Sequence, residues 1–232
     1  MTAPTTTSAV ALDELLRRLT GDEKHSASAH STLDVIWVLY DRLLRVTPDT
    51  ADAPDRDRFL LSKGHGPAAY YAVLAAKGFV PDDWLDDLAG PESRLGHHPD
   101  RLLVPGVEIG SGSLGHGLGL GVGTALGLRA QGILTPRVYV LLGDAELDEG
   151  SNHEAIAYAG AIGLSTLTAI VIDNRSATHG WPGPGGIASR FTVNGWSSVT
   201  VDGRDHDAIH DGLTANQPGR PHVVVAVVEE KE

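Results

Sequence analysis

The sequence contains no cysteine, which excludes disulfides, thiolate metal sites and cysteine nucleophiles. No apolar run approaches membrane-spanning length. The first residues, MTAPTTTSAV, lack a basic region followed by an apolar core. A soluble, cytoplasmic protein is therefore expected. Positive charge is scarce: 18 Lys and Arg against 30 Asp and Glu leave a net charge of −12. Such a surface repels nucleic acid and anionic membranes at long range. An anionic ligand stays compatible with it where a metal or main-chain amides neutralise the charge locally. Among the basic residues, 14 arginines outnumber 4 lysines, a coding bias without functional content.

What is present fits one large α/β domain or two small ones. The 232 residues are 41% apolar and 21% charged, enough for a sizeable core. Twenty-eight glycines are more than average usage, and many cluster in one stretch. The spacing predicts a helix over residues 12–19 and another over 31–46, stopped by Pro48. FLLSKGHGPAAYYAVLAAKGF reads as a strand, a turn and a helix ending near Lys77-Gly78. The glycine-rich IGSGSLGHGLGLGVG opens a helix reaching about Ala130. Residues 178–190 are expected to form a Gly/Pro loop, too irregular for a helix. Strands are expected at 197–202 and 222–228, flanking a short helix near Asp205–Leu213.

Between these, RVYVLLGD and LTAIVIDN are apolar, β-branched runs joined by the helical EGSNHEAIAYAGAIG. That pattern is a βαβ unit with parallel strands. Its right-handed crossover brings both strand ends to one edge, where ligands of such sheets bind. Asp144 and Asn174 end the two strands, 30 positions apart. A carboxylate, an amide oxygen and a nearby main-chain carbonyl make half an octahedron of the kind Mg²⁺ prefers. Gly143 and Ala145 are small enough for their amides to approach a diphosphate. The same residues also fit a plain structure in which Asp144 caps the helix and Asn174 turns the chain.

The string GDAELDEGSNHEAIAYAGAIGLSTLTAIVIDN resembles the thiamine diphosphate motif, in its transketolase version. LSKGHGPAAYYAVLAAKGF, GHHPDRLLVPGVEIGSGSLGHGLGLGVGTALGLR and NGWSSVTVDGRDHDAI resemble further transketolase blocks in the same order. The resemblance runs from about residue 25 to 228 and matches the N-terminal subunit of transketolases encoded as two chains. It implies a three-layer α/β/α, mainly parallel fold, with residues 1–24 as an N-terminal extension and helix. Residues 25–232 then form one thiamine diphosphate and Mg²⁺ domain.

It further implies Mg²⁺ ligation by Asp144, Asn174 and the main-chain carbonyl of Ser176. Gly143, Ala145, Gly112 and Leu114 match cofactor-contacting positions. His65 matches the histidine reaching the diphosphate and the reaction centre, and His98 one lining the substrate channel. Glu149 and Glu154 match glutamates that couple two active sites across an interface, and His25 holds the place of a further active-site histidine. The implied chemistry transfers a two-carbon ketol unit, or makes an acyloin by carboligation. Its substrate is a small ketose, aldehyde or 2-oxo acid. The glutamate that activates the aminopyrimidine belongs to the family's second domain. A separate pyrimidine-binding C-terminal-half subunit is therefore expected, giving a heterotetramer, and this chain alone should be inactive.

Four departures from the pattern point to a donor or acceptor other than the usual pentose phosphates. EKHSASA replaces the family's SGHPG element, Ala145 makes GDG into GDA, His97 replaces a glycine, and a C-terminal histidine is absent.

Two rivals stand beside this reading. Gly110, Gly112 and Gly115 spell the dinucleotide fingerprint of an NAD(P)-dependent oxidoreductase. The acidic residue it needs about 20 positions on is missing, and Asp144 comes too late. The α chain of a 2-oxo-acid dehydrogenase shares the cofactor but fits the LSKGH and SGSLGHG blocks less well. Tyr158 and Trp196 are expected to serve packing, and most of the 11 histidines to be surface or core residues.

Overall fold

The computed structural model describes residues 9–20, 26–177 and 186–230, with side-chain surroundings described for most of these. Five strands form one all-parallel sheet in the order β1-β2-β3-β5-β4. They are β1 Arg58–Leu61, β2 Val138–Gly143, β3 Leu167–Asp173, β4 Ser197–Asp202 and β5 His222–Val227. The helices are α1 Ala9–Thr20, α2 Ser26–Val38, α3 Pro67–Ala76, α4 His116–Ala130, α5 Gly150–Ala161, α6 Gly186–Thr192 and α7 His206–Thr214.

Alternation along the strands builds two cores. Tyr139, Leu141, Ile170 and Ile172 point to one face, where they meet α1, α2, α3 and α7. Val138, Val140, Leu142, Ala169 and Val171 point to the other, where α4, α5 and α6 pack. The result is the expected three-layer α/β/α architecture. Chain direction explains which helix goes where. From β2 through β3 to β4 the chain advances across the sheet, so right-handed crossovers put α5 and α6 on one face. From β4 to β5 it steps back one place, and α7 lies on the opposite face.

Two expected boundaries shift. The helix expected over 31–46 begins at Ser26 and ends in a π-turn over Leu39–Leu43, closed by Leu44 N–H to Leu39 O at 2.8 Å. The loop expected over 178–190 is corrected by α6, which starts at Gly186. Ile187 and Phe191, four apart, bury against the sheet, and Phe191 meets Trp196 edge to face at 5.1 Å. Tertiary packing has outweighed the helix-breaking composition just before it. Trp196 packs as expected, whereas Tyr158 does not: its side chain on α5 is 51% exposed.

His222 opens β5 in full burial, its ring between Ser197 Oγ at 2.8 Å and Gly212 O at 3.0 Å. Burial pushes its pKa below the ordinary 6.5, against the opposing pull of the Gly212 hydrogen bond. The unfolded chain then takes up the proton that the folded chain resists, so stability falls as pH drops below the unfolded value. Chemical denaturation at about pH 7.5 and about pH 5.5 should show a smaller acid loss for His222→Gln than for the natural chain. Equal losses would remove His222 from the account.

Candidate functional site

The carboxyl edge of the sheet carries the chemistry. β2 and β3 pair with Gly143 opposite Ile172, and Asp144 N–H extends the ladder to Ile172 O at 3.1 Å. The ends of the two strands are thereby held side by side. Asp144 is buried, and its carboxylate accepts Ser176 N–H at 2.7 Å, Ser176 Oγ–H at 2.5 Å and Ala145 N–H at 2.9 Å. The turn after β3 therefore folds onto Asp144. Its Arg175 sits at φ +54°, a left-handed conformation that a side chain disfavours.

Asn174 begins that turn and is 3% exposed, yet its Oδ1 accepts no hydrogen bond. A buried amide oxygen without a donor costs about 1–3 kcal/mol. A hard cation would remove that penalty. Asp144, Asn174 Oδ1 and the Ser176 carbonyl are the oxygens expected to suit Mg²⁺, and of these the structure ties Ser176 to Asp144 through its N–H and Oγ–H. Among the described residues no three His, Asp or Glu side chains gather into a metal cluster. A divalent site at this edge accordingly relies on amide and main-chain oxygens.

Two other segments meet the same edge. After β1, Ser62 N–H and Lys63 N–H both donate to Leu141 O, at 2.9 and 3.0 Å, fastening the Ser62–Gly66 turn to β2. His65 stands exposed at the tip of this turn, between β1 and α3. The second segment is the glycine turn before α4. Gly112 has φ +122°, and a Cβ there would lie 2.8 Å from His98 Cγ. Only glycine leaves room for the imidazole against the main chain. Ser111 N–H donates to Pro99 O at 3.2 Å, which holds the His97–Pro99 stretch to the turn. Leu114 reaches back over the first turn, its Cδ2 3.1 Å from the Cβ position of Gly64.

The family described as "Transketolase, thiamine diphosphate binding domain" matches residues 5–227. The chain belongs to that family. It is 36% identical to one subunit of the apulose-4-phosphate transketolase of Actinobacillus succinogenes, over 87% of this chain and 75% of that protein. It is 55% identical, over 94% of its length, to a protein of Rhodococcoides fascians named ferredoxin fas2, of which it spans 71%. The present chain has no cysteine and so no thiolate to hold an iron–sulfur cluster. A solved transketolase from Pichia stipitis superposes with a TM-score of 0.80 at 27% identity over 95% of this chain. The chain spans about a third, 36%, of that structure's length. The fold is thus the thiamine-diphosphate-binding α/β fold.

Within this transketolase-family site, Lys63 and Glu146 are polar groups that the motifs alone do not single out. Lys63 is buried, with Nζ 3.0 Å from Thr32 Oγ1 and 3.5 Å from Ser31 Oγ, and its stem lies beside Gly143. Glu146 is 2% exposed and accepts from Ser62 Oγ, from Gly115 N–H at 2.9 Å and from Gly143 N–H at 3.2 Å. Burial pushes its carboxyl pKa up, opposed by the Ser62, Gly115 and Gly143 donors and by nearby Lys63. Gly143 N–H and Ala145 N–H, expected to face a diphosphate, are committed to Glu146 and Asp144 here. The sequence signal for both residues is position: each follows an apolar strand by two or three residues.

The other expected site residues divide. His25 lies outside the described residues. Glu149 caps the start of α5 without a side-chain hydrogen bond, and Glu154 follows on the same helix; both are exposed. His97 is exposed beside His98. The dinucleotide rival loses its footing, because no strand precedes Gly110.

Asn174→Ala should leave the metal-free chain at least as stable as the natural one, since a buried unpaired oxygen is removed. It should also abolish the rise in melting temperature on adding Mg²⁺ with thiamine diphosphate. A metal-free chain destabilised by more than about 2 kcal/mol would mean that Asn174 Oδ1 has a protein partner.

Proposed function

We propose that this chain is the diphosphate- and Mg²⁺-holding subunit of a two-chain, thiamine-dependent transketolase-like enzyme. The observation that carries this reading is the unpaired, buried Oδ1 of Asn174 at the start of the turn that folds onto the Asp144 carboxylate. Family membership supplies the cofactor class, and the oxygen donors supply the metal preference. Asp144, Asn174 and the Ser176 carbonyl would hold Mg²⁺, which neutralises the diphosphate on an otherwise acidic chain. Gly143 and Ala145 keep the strand end bare enough for the diphosphate to approach.

When bound, thiamine diphosphate supplies the carbon nucleophile and the electron sink for ketol transfer or acyloin formation. The chain's own part is positioning and proton handling. Gly112 and Leu114 orient the cofactor's rings. His65 and His98 exchange protons with hydroxyl and carbonyl oxygens of a small ketose, aldehyde or 2-oxo-acid substrate, a role matched to imidazole near neutral pH. His25, which holds the place of a further active-site histidine in the sequence, joins them in proton handling.

The reaction needs a second chain. Relatives of which this chain spans two thirds or more are named as transketolase subunits, and the solved Pichia stipitis transketolase is one of which it spans 36%. The face shared by α4 and α5 suits such a partner. Leu120 on α4 and Tyr158 on α5 are exposed at 48% and 51%, Glu154 is exposed on α5, and Leu114 and Glu149 stand exposed just before the two helices. A pyrimidine-binding subunit docking there would complete the site, and pairing of two such units gives a heterotetramer. Its place is the cytoplasm.

Asp144→Ala should fold normally and lose Mg²⁺-dependent cofactor binding and, with the partner chain, all ketol transfer; undiminished binding refutes the assignment. His65→Ala in the reconstituted pair should lower turnover at least tenfold, about 1.4 kcal/mol. Unchanged turnover would assign His65 to structure alone.

A further inference from the structure

We propose that Glu146 is a positioning residue for the cofactor: one buried carboxylate that clamps together the three segments carrying the contacts described above. The inference deepens the thiamine diphosphate reading and rests on it. The first segment is the Ser62–Gly66 turn with His65, held through Ser62 Oγ–H. The second is the glycine turn with Gly112 and Leu114, held through Gly115 N–H. The third is the end of β2 with Asp144, held through Gly143 N–H. These segments lie 84, 31 and 3 positions from Glu146 in the chain.

Local structure explains how an acidic residue turns inward. The short 3₁₀ turn Ala145–Asp148 reverses the chain directly after Asp144. Asn152 Nδ2 fixes that turn from α5 by donating to Glu146 O at 2.7 Å. The side chain then points back beneath the strand ends instead of outward. Ser62 extends the clamp by one link, since its Oγ accepts Gly117 N–H from the first turn of α4 at 3.1 Å. Packing leaves this arrangement little room to relax: a Cβ on Gly117 would lie 2.3 Å from Ser62 Cβ, and one on Gly115 2.6 Å from Glu149 Cβ.

The chemistry demands a carboxylate. Three donors converge on two oxygens, and an ionised carboxylate is acceptor-only. Glutamine has the same shape but turns one oxygen into an amine that faces a donor. One segment is then released, and the cofactor must reorder it on binding.

The test uses the full-length chain and titrates thiamine diphosphate in excess Mg²⁺ by calorimetry, with circular dichroism and thermal melting of the metal-free protein alongside. Glu146→Gln should retain a cooperative melt and weaken cofactor affinity at least tenfold. Ser62→Ala should weaken it several-fold. Adding Ser62→Ala to Glu146→Ala should weaken affinity no further, because one clamp has already been opened. A purely structural glutamate would lower the melting temperature and leave the dissociation constant unchanged. That result, or additive losses in the double variant, overturns the proposal. Should Glu146→Gln fail to fold, an unchanged affinity in Ser62→Ala overturns it as well. A natural chain that binds no cofactor contradicts the underlying reading itself, whereas one that binds while Glu146→Gln binds equally contradicts only this inference.

Discussion

The parallel ladder between β2 and β3 is the constraint from which the site follows. Its register sets Gly143 opposite Ile172, and one further main-chain bond carries it to Asp144. A slip of one residue would turn the side chains of one strand to the wrong face and invert its share of both cores, because strand side chains alternate. Every residue of β2 is buried, as are all but the last of β3, so the two cores fix the register from both sides at once. Hydrophobic packing well below the edge therefore sets the separation of two polar side chains above it.

Against this regular foundation, the carboxyl edge carries several departures from ordinary geometry. Arg175 is left-handed at φ +54°, Gly112 and Gly115 occupy φ +122° and +83°, and Asn174 Oδ1 is unpaired. Arg175 and the unpaired Asn174 oxygen each cost on the order of 1 kcal/mol or more if nothing compensates them, whereas glycine adopts a positive φ freely. Asn174 and Arg175 follow directly on a fully bonded strand, the pattern of a binding site held ready by its scaffold. The Glu146 clamp belongs to the same logic. It uses a buried carboxylate to join three segments distant in the chain, and the donors around that carboxylate offset the cost of burying it.

Much of this is visible in the sequence because apolar runs are unambiguous when both faces of a strand are buried. RVYVLLGD and LTAIVIDN mark the strands, their spacing marks the crossover helix, and the two together put Asp144 and Asn174 at one edge of the sheet. What escapes depends on contacts distant in the chain. α6 follows a Gly/Pro stretch, and its helicity comes from Ile187 and Phe191 packing under Trp196. Glu146 lies in the string DAELDE, which reads as a solvated acidic run; only the 3₁₀ turn reveals that the middle acid points inward. Tyr158 misleads in the opposite sense, since an aromatic at helical spacing suggests a core residue although this one faces outward.

The most direct test of the central claim is crystallographic. Crystals of the full-length chain grown with thiamine diphosphate, and with Mn²⁺ in place of Mg²⁺, would be measured at the manganese absorption edge. The account predicts an anomalous peak within bonding distance of Asp144, Asn174 Oδ1 and the Ser176 carbonyl, with the diphosphate on its open side. Cofactor density without a metal at those three oxygens, or a metal bound elsewhere, would contradict it.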